Sequence, residues 1–201
     1  MKRGLVILLV VLAALIGGAF LIAGWAGSFY NSVVTLDEQV KGQWAQVENA
    51  YQLRADKTKN LLEIVKGAAN FEQETLTQVI EARSKATSIQ LNADDLSPEK
   101  LAAFQQAQDQ FSGALSRLMV TIERYPELKA VDAFRDFQAQ YEGMENRIGV
   151  ERRKFNDEAR AYNTRIRKFP GNLLAGFFGF QAKGYFEAKE GADEAPDISF
   201  E

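Results

Sequence analysis

The 201-residue sequence contains no cysteine and no histidine, and these two absences exclude many kinds of functional site. A Ser-His-Asp triad, a cysteine nucleophile, a zinc finger and an iron–sulfur cluster each need at least one of these residues. A helical di-iron site is excluded as well, because it uses a Glu-x-x-His motif. Without cysteine, the redox compartment cannot be inferred from disulfides.

The chain also lacks a strong excess of charge of either sign. It carries 24 basic and 27 acidic residues, which gives a formal net charge of -3. Nucleic-acid-binding domains need a net basic surface, so no nucleic-acid partner is expected. Proline is scarce, at 4 residues, and Ala, Gln, Glu, Leu and Arg are abundant, which favours helix. The length suits one modest domain with an accessory segment.

Residues 1–30 have the pattern of a membrane anchor. The run GLVILLVVLAALIGGAFLIAGWAG follows two basic residues, and no further charge occurs before Asp37. About 20 apolar residues span a bilayer, so the run is long enough. A cleaved signal peptide is the alternative, but its apolar region is usually about 7–15 residues long, which favours a retained helix. Trp25, Phe29 and Tyr30 are predicted at the far membrane interface, where amphipathic rings are favoured.

The charges on either side of this run predict its orientation. Lys2 and Arg3 precede it, whereas Asp37 and Glu38 are the first charges after it. The positive-inside rule therefore predicts a cytoplasmic N-terminus and export of everything after Tyr30.

From residue 33 onward, apolar residues recur every three or four positions, which is the period of an amphipathic helix. The stripe through Val40, Trp44 and Val47 predicts that Trp44 lies in the core. Four breaks interrupt the pattern, at Gly67–Asn70, Asn92–Pro98, Pro126 and Pro170–Gly171. Helices joined by such short connections predict an antiparallel up-and-down four-helix bundle over residues 31–170, followed by a C-terminal tail over 171–201. The first and last helices are the longest, at about 35 residues or about 50 Å each.

The stretch 145–171 is rich in arginine, carboxylates and asparagine. A catalytic pair of Glu145 and Glu151 is conceivable, but residues six apart share a helix face poorly. Opposite charges spaced three or four apart indicate a solvated face instead. The stretch also contains asparagines that are unfavourable inside a helix. We expect these either to fix helix register through polar contacts, with Glu48 or Asn49 as partners, or simply to be exposed: Asn146, Asn156 and Asn163.

Several segments together resemble the LemA family: YNSVVTLDEQVKGQWAQVENAYQLRAD, NLLEIVKGAANFEQETL, YPELKA, ENRIGVERRKFNDEARAYNTRIRKFP and GYFEAKEGADEAPDISF. The resemblance extends in order over nearly the whole chain, including the apolar segment. It implies a membrane-anchored bacterial protein with an antiparallel four-helix domain and no established enzymatic activity, catalytic residue or cofactor. One departure is Lys57-Thr58-Lys59, where the family tends to have a proline, so the first helix is expected to be straighter.

The leading functional prediction is a non-enzymatic scaffold or adaptor of the bacterial cell envelope. It would be a single-pass protein of the inner (plasma) membrane, with its helical domain periplasmic and with no cofactor or metal. Expected partners are the lipid bilayer, another membrane or envelope protein, and a second copy of the chain. Two alternatives are a lipid or small-ligand binder with a cavity between helices, and a metal-dependent hydrolase that uses carboxylates alone, although no converging carboxylates are recognisable.

The start of the tail is predicted to lie near the lipid surface, because a bundle of four alternating helices ends on the side where it began. Its apolar residues are Leu173, Leu174, Phe177, Phe178 and Phe180, and they follow the cations Arg165, Arg167 and Lys168. This pattern fits an interfacial segment on anionic lipid. It fits equally a set of phenylalanines that cap the bundle end, with cations complementing the helix C-terminus. The acidic stretch Glu187–Glu194 is predicted to be mobile.

Overall fold

The computed structural model of the chain describes residues 2–67 and 71–188, and all regular structure in these residues is helical. The helices are α1 Lys2–Lys66, α2 Gln73–Ser88, α3 Pro98–Ile122, α4 Pro126–Lys129, α5 Asp132–Arg167 and α6 Gly171–Phe178. The predicted all-α class is therefore confirmed. The four predicted breaks fall at or between helix ends, and the short helices α4 and α6 are additions that the apolar periodicity does not predict.

The predicted anchor and the first bundle helix form one continuous helix, α1, of 65 residues. At about 1.5 Å per residue, its length is about 100 Å. α1 passes through Lys57, Thr58 and Lys59 without a break, because no proline removes a backbone donor there. Thr58 is buried, and its hydroxyl donates a hydrogen bond of 2.8 Å to the carbonyl of Arg54, so this polar residue in the apolar stripe is satisfied within its own helix.

By length and composition, α1 is the one helix of the described residues that could cross a membrane. None of its most apolar window is covered by the rest of the protein. Phe29 is the first fully buried residue along α1. The chain therefore fits a membrane protein with a single N-terminal apolar helix, whose second half enters the helical domain.

The four long helices run in alternating directions. Contacts join α5 to α1 at three levels: Arg165 to Ser32, Glu151 to Gln43, and Glu145 to Arg54. The residue numbers of the contacts decrease along α5 as they increase along α1, so these two helices are antiparallel. Arg124 pairs with Glu72, and Lys85 bonds to Gln110, which gives the same relation between α2 and α3. The end of α5 consequently returns to the level of α1 where the apolar run ends.

The buried apolar residues form two clusters, one at the membrane-side end and one at the distal end. Trp44 lies in the first cluster, with its ring edge-on to Phe104 and Phe155 at centroid distances of 5.2 and 5.6 Å. It is 1% exposed, which confirms its predicted place in the core. Phe111 and Leu115 belong to the distal cluster.

Arg54 is buried where the two clusters meet, with its guanidinium over the rings of Tyr51 and Phe111. It donates hydrogen bonds to Glu145 at 2.9 Å, Ser112 at 3.0 Å and the Gln108 side chain at 2.7 Å. A buried charge is tolerated when it is paired and hydrogen-bonded. Arg54 thus links α1, α3 and α5 through one polar layer.

Residues 171–188, predicted as part of a tail, pack on the bundle. Ala175 and Phe186 belong to the membrane-side cluster. Glu187, predicted to be mobile, has both backbone groups bonded to the Gln105 side chain, so that prediction is wrong for Glu187. The remainder of the acidic stretch, from residue 189, lies outside the described residues.

Candidate membrane-proximal site

The short helix α6 packs against α1 at the level where α1 first becomes buried. Gly171 and Ala175 lie on the inner face of α6 and are buried. A Cβ atom on Gly171 would lie 2.3 Å from Cε2 of Phe29, far closer than atoms can pack. The absence of a side chain at Gly171 therefore allows α6 to approach α1 at Phe29.

The outer face of α6 is apolar. The helix sequence GNLLAGFF contains no charged residue. Leu173 and Phe177 are four residues apart and so share a face, and they are 68% and 82% exposed. Phe169, four residues before Leu173, is 81% exposed. A surface helix normally presents polar residues on this side, so this exposed apolar patch requires an explanation.

An aromatic cluster closes the end of the bundle beside α6. The ring of Tyr30 lies 5.1 Å from that of Phe178 and 5.6 Å from that of Phe180, between centroids. Phe178 and Phe180 are 6.2 Å apart. Phe180 is partly buried and packs against the membrane-side core cluster. These rings join α1 to both ends of the turn that follows α6.

The basic residues before α6 differ in their surroundings. Arg165 donates from Nε to the Ser32 hydroxyl at 3.1 Å, and its guanidinium lies 4.7 Å above the Phe29 ring. Arg167 and Lys168 are exposed at the end of α5. Arg165 is thus engaged with α1, whereas the other two cations are exposed to solvent and precede α6 in the chain.

The structure brings the residues predicted for the membrane interface to one end of the molecule but gives them different surroundings. Phe29 and Arg165 contact each other within the protein. Tyr30, Phe178 and Phe180 contact one another and are partly covered. Trp25 is exposed to about the same extent as Tyr30, and Phe177, Arg167 and Lys168 are exposed as well.

After α6, the chain runs in an extended conformation along α5, and residues 183–187 form what we call the clamped segment. Amide side chains bind its backbone in pairs of hydrogen bonds. Asn163 donates to the Lys183 carbonyl at 2.8 Å and accepts from the Lys183 N–H at 2.9 Å. Asn156 makes the same pair of bonds to Phe186, at 2.8 and 2.9 Å. Gln105 on α3 does so with Glu187, at 2.9 and 3.0 Å.

The spacing of the two asparagines matches the segment that they hold. Asn156 and Asn163 are seven residues apart on α5, a rise of about 10.5 Å. The bound residues, Lys183 and Phe186, are three apart, which spans about 10 Å in extended chain. Each asparagine therefore meets a backbone amide. Between these two bound residues, Gly184 lies against Pro98 at the start of α3. A Cβ atom on Gly184 would lie 2.8 Å from Cα of Pro98, so only glycine fits there.

An ion-pair network fixes the start of the clamped segment. Lys183 is buried and pairs with Asp37 at 2.9 Å, and Asp37 also binds Lys41 at 2.9 Å. Burial alone would raise the pKa of Asp37, but hydrogen bonds from the two ammonium groups outweigh it and lower that pKa. Lys41 also pairs with Asp94 at 2.7 Å, and its bonds to Asp94 and Asp37 raise its pKa.

The asparagine partners expected from the sequence are wrong. Asn156 and Asn163 contact the C-terminal segment instead of Glu48 or Asn49 on α1, and Asn146 is exposed. The signal that could have found this contact is the seven-residue spacing of two asparagines together with the glycine-aromatic sequence KGYF. The asparagine spacing is about two turns of helix, but the KGYF segment that it holds has no helical period, because that segment is extended.

The two carboxylates considered as a catalytic pair have separate structural partners. Glu145 binds Arg54 and Ser112, whereas Glu151 binds Gln43 and Lys154. Hydrogen bonding from Gln43 lowers the pKa of Glu151. Across residues 2–67 and 71–188, no group of three or more acidic side chains is arranged to hold a metal ion.

A cleft between α1 and α3 bears on the ligand-binding alternative. It has a volume of about 250 Å³, and its lining includes Glu48, Tyr51 and Phe104. Burial raises the pKa of Glu48. Pockets for drug-sized ligands usually measure about 300–1,000 Å³, so this cleft is slightly smaller than the usual site for such a ligand.

The sequence model of the LemA family matches residues 43–200 of the chain, which begin within α1 and leave the apolar segment outside the match. Magnetosome protein MamQ 2 of Paramagnetospirillum magneticum is 28% identical over 183 residues, covering 82% of this chain and 66% of the relative. Magnetosome protein MamQ of Magnetospirillum gryphiswaldense is 37% identical over 83 residues, covering 41% of this chain and 30% of that protein.

Protein LemA of Metamycoplasma hominis is 28% identical over 171 residues, covering 82% of this chain and 74% of the relative. The chain thus spans just under two thirds of the length of the Paramagnetospirillum relative.

Proposed function

The chain belongs to the LemA family, and on this premise we propose that it is a membrane-anchored, non-enzymatic scaffold of the bacterial cell envelope. The continuity of α1 supports this proposal most strongly. An unbroken helix that crosses the bilayer and then enters the bundle core holds the bundle at a fixed height and angle, whereas a flexible linker would not. A fixed helical platform at the membrane suits a protein that positions other envelope proteins.

The exposed side of α5 is the surface that we propose for a protein partner. Exposed charges of both signs occur along it: Arg135, Asp136, Glu142, Arg147, Arg153, Lys154, Asp157 and Arg160. A nucleic acid would select a single sign, whereas a polar protein surface can complement both. α5 extends for 36 residues, about 54 Å at about 1.5 Å per residue, which offers a long docking face.

In-cell photo-crosslinking tests the scaffold function. A photoreactive residue is placed singly at Lys154 or Arg160 on α5, and at Glu81 on α2 as a matched exposed position on another face. We expect the α5 positions to capture the same membrane or envelope protein and the α2 position to capture it less. Equal, unspecific capture from all three positions would contradict a partner surface on α5.

The orientation is part of the same proposal, with the N-terminus in the cytoplasm. Arg3 precedes the apolar run, and the first charges after it are acidic. A phosphatase that is active only outside the cytoplasm should be active when fused after Glu201. A reporter that works there only in the cytoplasm would reverse the proposed topology.

A further inference from the structure

We propose that the outer face of α6 is a lipid-contact surface that inserts Leu173 and Phe177 into the interface of an anionic bilayer. This inference rests on the proposed membrane anchoring by α1 and names the surface that the anchor brings to the lipid. The bundle would then touch the membrane at two places, the α1 span and α6.

The depth of α6 follows from where it packs on α1. The apolar run from Gly4 to Gly27 is 24 residues long, which gives about 36 Å of helix against a hydrocarbon core of about 30 Å. Phe29 and Tyr30 therefore lie just beyond the hydrocarbon, in the interfacial layer. Because Gly171 contacts Phe29 and Phe178 contacts Tyr30, α6 lies at the level of that layer.

The apolar patch on α6 is unusual for this molecule. Among the described residues beyond Tyr30, large apolar side chains that are more than half exposed are Phe169, Leu173, Phe177 and Val120. Three of these four belong to the α6 patch, and Val120 stands alone near the distal end of α3. The exposed apolar side chains are thus concentrated where lipid is closest.

The charges beside the patch select the kind of lipid. Arg167 and Lys168 are exposed at the end of α5, immediately before α6. Basic residues next to an apolar face are the combination that binds anionic lipid surfaces. A short helix alone would bind such a surface weakly. Because α1 already holds α6 at the membrane, the translational and rotational entropy lost on binding is largely removed.

The structure also divides the phenylalanines between the two roles that the sequence left open. Phe178 and Phe180 pack on Tyr30 and close the bundle end. Phe177 touches Phe178 at its edge and is otherwise exposed, as is Leu173. Capping and lipid contact therefore belong to different side chains of the same segment.

Single-cysteine labelling of the full-length protein in bilayers tests the proposal, because the chain has no native cysteine. An environment-sensitive fluorophore is attached at Leu173→Cys or Phe177→Cys, and its quenching by lipids that carry a spin label near the headgroup is measured. For position 12, which lies within the hydrocarbon core, the spin label is carried midway along the acyl chain. Val120→Cys is the matched control, since Val120 is 71% exposed but distal. Leu12→Cys reports whether α1 spans the membrane.

We expect quenching at positions 12, 173 and 177 and none above background at position 120. Quenching at position 12 with positions 173 and 177 no different from position 120 would overturn the α6 proposal and leave the anchor intact. Absence of quenching at position 12 would overturn the membrane anchoring and the α6 proposal with it.

The lipid preference has its own test in the Phe177→Cys protein. Quenching should be stronger in bilayers of phosphatidylglycerol than in bilayers of phosphatidylcholine. Replacing Arg167 and Lys168 by glutamine should lower the equilibrium constant for contact of α6 with the anionic bilayer by about fivefold per charge. Equal quenching in both lipids, unaffected by the two substitutions, would overturn the anionic preference.

Discussion

Substitution of Asn163 by alanine should detach the clamped segment from α5. Asn163 is 4% exposed, and its amide makes hydrogen bonds to both backbone groups of Lys183 and a third, of 2.9 Å, to the Tyr185 hydroxyl. Alanine would leave the N–H and C=O of Lys183 unpaired at a buried position. Each buried unpaired group costs about 1–3 kcal/mol, so the clamped state should lose about 2–6 kcal/mol.

Asn146→Ala provides the matched control, because Asn146 lies on the same helix and is exposed. An exposed substitution of this kind should change the stability by less than about 0.5 kcal/mol. Asn156→Ala should fall between the two, because Asn156 is partly buried and makes two bonds to Phe186. If the first substitution already releases the segment, the double variant at positions 156 and 163 should cost less than the sum of the single variants.

Denaturant unfolding of the protein in detergent measures the global effect, and hydrogen exchange at residues 183–187 measures the local one. We expect faster amide exchange at Lys183 and Phe186 in Asn163→Ala, with exchange in the core of α3 much less affected. The reasoning would be refuted if Asn163→Ala matched Asn146→Ala in stability and left the protection of both amides unchanged.

Three further predictions follow from the packing and the charges. Trp44→Ala should lower the free energy of unfolding by about 3–5 kcal/mol in denaturant titration, and an unchanged midpoint would contradict its burial. Gly171→Ala should cost about 1–3 kcal/mol because its Cβ would overlap Phe29, whereas Gly176→Ala in the same helix meets no atom within 4 Å and should not destabilise. Asp37 has a lowered pKa in the folded state, so its stabilising effect is present above the unfolded pKa of about 3.9 and is lost as pH falls through the folded value. Acidification from about pH 5 to pH 2 should therefore lower the free energy of unfolding more in the unsubstituted protein than in the Asp37→Asn variant. Equal losses of stability in the two proteins would count against the ion pairs of Asp37.

Helix content, the apolar N-terminal segment and the burial of Trp44 could be predicted from the sequence because each depends on local order. A stripe of apolar residues at a 3.6-residue period indicates a buried helix face whatever the partner is. A run of more than 20 apolar residues indicates a membrane span by its length alone. Prolines and glycines mark helix ends through backbone geometry, which is also local.

The partners of Asn156 and Asn163 depend on contacts across the chain. The KGYF segment that they hold is extended and has no apolar period, so its position on α5 became visible only when both were placed in space. The contact requires a seven-residue rise of helix to match three residues of extended chain, a coincidence of lengths that neither segment encodes separately.

The sequence by itself determined that an apolar, phenylalanine-rich segment follows a basic helix end, and that this end returns toward the anchor. Only the tertiary structure decided which of those side chains are covered. Gly171 lets α6 lie against Phe29, and that contact rotates Ala175 and Phe178 toward α1 while turning Leu173 and Phe177 outward. Burial on a short helix is set by the one face that its neighbour occupies, and a helix with a single polar residue and no charge has too little polar pattern to reveal that face.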